Sequence, residues 1–347
     1  MNHKKRTLLI SGIILLVGIL LLSALFFYPH EQQRTVVVYT SVDQVFSEPI
    51  FRSFENQTGI KVLPVYDVEA DKTTGLVNRL LAEKTNPQAD VFWSAEFVQT
   101  LLLKNESVLA PYSSPSAYDI PAKYRDPDNY WAGFGGRARV FIVNTDRLSP
   151  DNYPHSIYDM LDSRYPGKSI GIAYPIFGTM ATQSAALYSV LGQDKARLLL
   201  TDLNKRGIRT VDGNSVVRDL VSSGQLDFGL TDSDDACNAI QMGSHVTIIL
   251  PDQKEGEMGT LIIPSTIALI AGAHHIEEGK AFIDFVLDPN TETSLVTAGW
   301  IQLPSRNISV HSPCIGNTEI HGMAVNYTDI YPGLERTKQD LTEIFVR

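Results

Sequence analysis

Thr35-Val-Val-Val-Tyr-Thr40 opens the folded part of the chain, β-branched and aromatic with no polar alternation, which is the pattern of a strand buried on both faces. A helix is expected next, with Phe46, Ile50, Phe51 and Phe54 on one face and Gly59 as its stop signal. Residues 60–66 read as a second strand. Leu76, Val77, Leu80 and Leu81 mark a second helix, and 89–93 (Ala-Asp-Val-Phe-Trp) a third strand. The order βαβαβ predicts an open, mainly parallel sheet covered on both sides.

A second set of elements begins near Arg139: strands over 140–143, 169–173, 209–211, 226–231 and 246–250, with helices over about 179–191 and 194–205. A late apolar stretch, 260–271, is followed by a helix over 276–287. The expected architecture is α/β with two lobes: 35–138 plus 262–303 as the first, 139–261 as the second, and 304–347 as an extension packed on a lobe, without a functional reading. The chain then crosses between lobes near 137–144 and again near 259–269, and two crossings make a hinge.

The chain has 347 residues, 44% apolar and 20% charged. Residues 1–30 stand apart. Lys4, Lys5 and Arg6 precede an uncharged run from Thr7 to Pro29, long enough to span a bilayer as a signal anchor over 8–28. A cleaved signal peptide is the alternative, although Phe26, Phe27 and Tyr28 stand where small residues favour cleavage. Both readings export the body, to the periplasm or the outer face of the cytoplasmic membrane. Losing the three basic leader residues takes the formal charge from −10 to −13, which argues against nucleic acid as a partner. Cys237 and Cys314 could pair in an oxidising compartment, and sequence leaves that open.

Open α/β sheets bind ligands at the carboxyl ends of their strands. The corresponding segments are 40–43, 67–74, 94–96, 177–179, 212–215 and 231–235. From them Ser41, Glu96, Thr179, Asn214, Ser215 and Asp232 are taken as ligand contacts, although Thr179, Asn214, Ser215 and Asp232 would also serve as ordinary helix caps. Asp232, Asp234 and Asp235 put three carboxylates at one strand-to-helix corner, where with Glu96 they could hold a hard cation; Asp234 and Asp235 equally suit the first turn of a helix. Arg137 could hold an anion, and Arg137 or Arg139 could simply pair with an acid. His274 and His275 read as a surface turn, since neighbours on a strand face opposite ways.

These segments carry a resemblance. Val38-Tyr39-Thr40-Ser41-Val42-Asp43, the stretch from Glu69 to Val77, Gln88-Ala89-Asp90-Val91-Phe92-Trp93-Ser94-Ala95-Glu96, Gly136-Arg137-Ala138-Arg139-Val140 and the stretch from Gly229 to Ala236 resemble the family 1 extracellular solute-binding proteins of ABC importers, nearest the iron(III)-type periplasmic branch. The resemblance runs from about Thr35 to about Leu303. It implies a type II binding-protein fold, two lobes closing over a ligand, and an ABC transporter permease as partner. It also implies that Glu96 matches an acidic position and Asn214-Ser215 an anion loop.

The family's iron site uses two adjacent tyrosines that would fall around Ser233 to Asp235, where this chain has none. Iron(III) or another metal held by carboxylates, and an organic oxyanion such as a phosphonate or phosphate ester held by hydroxyls and amides, both remain open as ligand; no prosthetic group is expected. A membrane-anchored sensing ectodomain is a further alternative. An enzyme is not expected: the chain has no G-x-S-x-G elbow and no zincin helix motif.

Overall fold

The computed structural model describes residues 33–67, 74–325 and 327–346. The expected leader over 1–30 lies outside the described residues, and so do 68–73 of the loop after the second strand. No described helix is long and apolar enough to cross a membrane.

The opening βαβαβ is present as β1 (Thr35–Thr40), α1 (Gln44–Thr58), β2 (Lys61–Tyr66), α2 (Thr74–Ala82) and β3 (Val91–Ser94). Phe46, Ile50, Phe51 and Phe54 are the buried stripe of α1. Gly59 closes that helix at φ 71°, donating its N–H to the Glu55 carbonyl, in the left-handed conformation that glycine adopts without a Cβ penalty. Trp93 is fully buried at the end of β3, with its ring 5.9 Å from both Phe51 and Trp300.

Then follow α3 (Val98–Asn105), β4 (Leu109–Ala110), β5 (Ala132–Asn144), β6 (Ile170–Ala173), α4 (Gly178–Leu191), α5 (Gln193–Lys205), β7 (Arg209–Val211), α6 (Asn214–Ser222), β8 (Phe228–Asp232), α7 (Ser233–Gln241) and β9 (Val246–Ile249). The chain ends with β10 (Ile262–Ile270), α8 (Ile276–Val286), α9 (Pro289–Thr297) and α10 (Tyr327–Phe345).

The strand order is β2-β1-β3-β10-β5-β8-β6-β7, with β4 added to β10 and β9 to β5. Ladders within each βαβ set are parallel, whereas β10 runs antiparallel to β3, β4 and β5, and β5 runs antiparallel to β8 and β9. The sheet is therefore mixed where a mainly parallel one was expected, because the two crossing strands return against the direction of their neighbours.

The single strand β5 carries the join. Ala132 to Ala138 pairs with β10, and Arg139 to Asn144 pairs with β8 and β9. Its first half is not among the expected strands, since Gly133, Gly135 and Gly136 interrupt the apolar pattern. Gly135 sits at φ 57°, and a Cβ there would lie 2.6 Å from Ile301 Cδ1, so neither the backbone nor the space admits a side chain. Pro264 pairs with Gly136 and Ser265 with Phe134, so Gly135 is the extra residue of a bulge that bends the pair.

Two ties hold the C-terminal part. Cys237 of α7 is disulfide-bonded to Cys314, 77 residues on. Closing a loop of that length contributes about 4 kcal/mol in the chain-entropy account. Helix α10 lies against α4 and α5 through Tyr188–Asp340, Arg197–Glu343 and Asn204 to the Ile344 carbonyl, while Tyr327 at its start meets Phe97 edge-on, with ring centroids 4.6 Å apart.

Candidate functional site

The strand pairing brings the site together. Arg139 stands directly opposite Asp232 in the β5–β8 ladder. Arg137, two residues earlier, shares its face because side chains alternate along a strand. Both guanidiniums thus meet the corner where β8 turns into α7.

Asp232 is saturated. Its Oδ1 accepts from Arg139 Nη1 at 2.6 Å, and its Oδ2 accepts from Thr179 Oγ1 at 2.7 Å and Asn214 Nδ2 at 3.1 Å, with Arg137 Nη1 3.3 Å away. The same Arg137 nitrogen donates to Asp234 Oδ2 at 3.0 Å, and Arg137 Nη2 donates to the Ala95 carbonyl at 2.5 Å. Asp235 pairs with Arg218 at 3.3 Å.

One carboxylate oxygen from each of Asp232, Asp234 and Asp235 lies within 4.8 Å of the others. This is the spacing of a metal shell, but Arg137 Nη1 lies within 3.3 Å of both Asp232 and Asp234 and already supplies positive charge to that pair.

The corner carboxyls titrate differently. Burial disfavours the charge of Asp232, but Arg139 and Arg137 outweigh it and hold the pKa below the ordinary value. At Asp234 burial wins, aided by repulsion from Asp232 and Asp43, and the pKa rises to about 6 despite Arg137. Its Oδ1 is buried with no hydrogen-bond partner among the described residues.

The folded protein therefore retains a proton on Asp234 that the unfolded chain releases at lower pH. That residue's contribution to stability falls as pH rises through roughly 4 to 6. Asp234→Asn mimics the protonated form. Its melting temperature is expected to gain about 2–4 °C on the wild type between pH 4.5 and pH 8. A difference that is constant over this range would place the raised carboxyl elsewhere.

The expected contacts divide. Thr179, Asn214 and Asp232 meet in one cluster, and all three line a pocket with Ala95, Arg137, Tyr174 and Gly213. Asp235 lines it as well. Ser41 and Glu96 do not line it. Ser41 Oγ accepts from Ala95 N, while Glu96 accepts from the N–H groups of Val98 and Gln99 at the start of α3 and from Thr182 Oγ1 of α4. Burial raises the Glu96 pKa. Ser215 lies in the first turn of α6, adjoining the pocket residue Asn214. His275 hydrogen-bonds Asp90 at the start of α8, away from the pocket. Tyr174 was missed; its signal was its place immediately after β6.

Helices α4 and α6 both begin at the pocket, and neither has a side-chain cap. Phe177 and Gly213 occupy their N-cap positions. The first N–H groups of a helix have no intrahelical acceptor, and the dipole makes that end positive, so two such ends at one pocket favour an anion. The pocket is tight, with a cavity volume of about 30 Å³.

Comparison with known proteins gives a family. Residues 86–317 match the model of the bacterial extracellular solute-binding protein family, and the chain belongs to that family. A probable ABC transporter periplasmic-binding protein of Sinorhizobium fredii is 29% identical over 222 residues, 60% of this chain and 59% of that one. A putative 2-aminoethylphosphonate-binding periplasmic protein of Salmonella typhimurium is 28% identical over 295 residues, 82% of this chain and 83% of that one. The solved structure of a ferric binding protein from Campylobacter jejuni superposes with a TM-score of 0.80 at 22% identity, covering 90% of this chain and all of that one. The protein is thus an extracellular solute-binding protein with the fold of the two-lobed periplasmic binding proteins.

Proposed function

We propose that the protein captures a small phosphorus oxyanion, a phosphonate or phosphate ester, in the cleft and hands it to an ABC transporter permease without chemical change. The reading rests on one observation above all: the uncapped starts of α4 and α6 meet at a single pocket with Arg137 in its wall. The similarity to a putative 2-aminoethylphosphonate-binding protein supports it.

Iron(III) as cargo is less well supported. A cation entering the acidic corner would have to displace Arg137 from Asp232 and Asp234. The stretch from Ser233 to Asp235 offers no tyrosine.

In this reading 35–138 with 262–303 forms one lobe, 139–261 the other, and 304–347 a C-terminal extension. Closure sets the Glu96–Thr182 hydrogen bond and the Arg137–Asp234 ion pair across the cleft, and ligand contacts from both sides favour the closed state. The leader over 1–30 carries the body across the membrane and is retained as its anchor.

Asp212 tests the sign of the cargo, because it is exposed and lines the same pocket. Asp212→Asn should tighten binding of 2-aminoethylphosphonate about two- to fivefold in low salt, with the gain shrinking as salt screens the charge. Calorimetric titration reads this directly. Weakened phosphonate binding, or a loss of iron(III) affinity of similar size, would point to a cation.

A further inference from the structure

A larger cavity, about 570 Å³, lies away from the cleft, between α3, the loop before β5 and the start of α10. That volume falls within the range of small-molecule sites. Leu101, Trp131, Val325 and Tyr327 give it an apolar and aromatic wall, while Lys123 and Arg125 contribute positive charge. Asp126, also in the wall, is neutralised by Lys104 at 2.6 Å.

Arg125 is the unusual member. It is half-buried and its Nε is sealed from solvent, yet its side chain has no hydrogen bond or ion pair among the described residues. Every other buried or half-buried arginine there has a carboxylate or carbonyl partner: Arg137 and Arg139 at the cleft, Arg197, Arg206, Arg218 and Arg306 elsewhere. A guanidinium without an acceptor, in a wall that also holds aromatic side chains, suits a planar carboxylate joined to an apolar body.

We propose that this cavity is a second ligand site, taking an amphipathic carboxylate whose charged end meets Arg125 and whose apolar end lies between Trp131 and Tyr327. The site is independent of the cleft, and no group in the cleft's corner lines it.

The test uses the full-length protein titrated with 4-phenylbutyrate and its uncharged amide, followed by calorimetry and tryptophan fluorescence. The acid should bind with a Kd of roughly 10 µM to 1 mM and the amide about tenfold more weakly. Arg125→Gln should weaken the acid about tenfold while its melting temperature stays within about 1 °C of the wild type, since no partner is lost. Gly213→Asp, at the cleft, should leave this binding unchanged. Equal binding of acid and amide, no binding up to about 5 mM acid, or loss of binding in Gly213→Asp would each overturn the proposal, and the acid–amide comparison holds even if Arg125→Gln fails to fold.

Discussion

Arg139→Met is expected to lower the unfolding free energy by about 3–5 kcal/mol, the cost of leaving one partner of a buried ion pair without the other. Arg139 is fully buried, and its Nη1 serves Asp232, Thr179 and Asn214 together. Its loss strips Asp232 of its shortest contact at the point where β5, β8, α4 and α6 converge. Urea unfolding reads the loss, and the melting temperature should fall by roughly 10 °C. Adding Asp232→Leu should restore half or more of the stability, since an apolar pair can replace a buried ionic one. A loss below about 1 kcal/mol in the single variant would mean that this pair does not hold the corner. Substitutions at Asp232 therefore report first on folding, and cannot by themselves separate a metal cargo from an anionic one.

Gly213→Asp should abolish oxyanion capture while leaving the fold intact. Gly213 is the N-cap of α6 with extended backbone, φ −172° and ψ 172°, a conformation that any residue adopts. An aspartate there is a favoured helix cap, so stability should hold to within a few tenths of a kcal/mol or rise. The same carboxylate occupies the donors proposed for the ligand and repels its charge. Affinity for 2-aminoethylphosphonate is expected to drop at least about 100-fold, or about 2.8 kcal/mol. Gly213→Ser, a cap without charge, should lose about tenfold. Unchanged phosphonate affinity in Gly213→Asp would remove the helix ends from the site.

Much of this was legible in the residues. The β1-to-β3 unit follows from apolar patterning and a glycine stop, and the strands expected over 140–143 and 260–271 fall on β5 and β10. Less legible was the glycine-rich start of β5, because a bulged strand lacks the side chains that announce one. The corner was legible as acidic but not as neutralised: Asp232 and Arg139 are 93 residues apart and become neighbours only through the antiparallel register of β5 and β8. Glu96 illustrates the same limit. Its place after a strand suggested a ligand, and its carboxylate instead meets the first N–H groups of α3 and the Thr182 hydroxyl. Pairing of Cys237 with Cys314 needed coordinates, since nothing in their spacing brings them together.

The central claim is that the cleft takes a phosphorus oxyanion and not a metal ion. Calorimetric titration of the full-length protein with 2-aminoethylphosphonate, and separately with iron(III) citrate, tests it most directly. The account predicts saturable one-to-one binding of the phosphonate, lost in Gly213→Asp, and no iron retained on elemental analysis after dialysis. Stoichiometric retention of iron, lost in Asp234→Asn and accompanied by no heat with phosphonate, would contradict it.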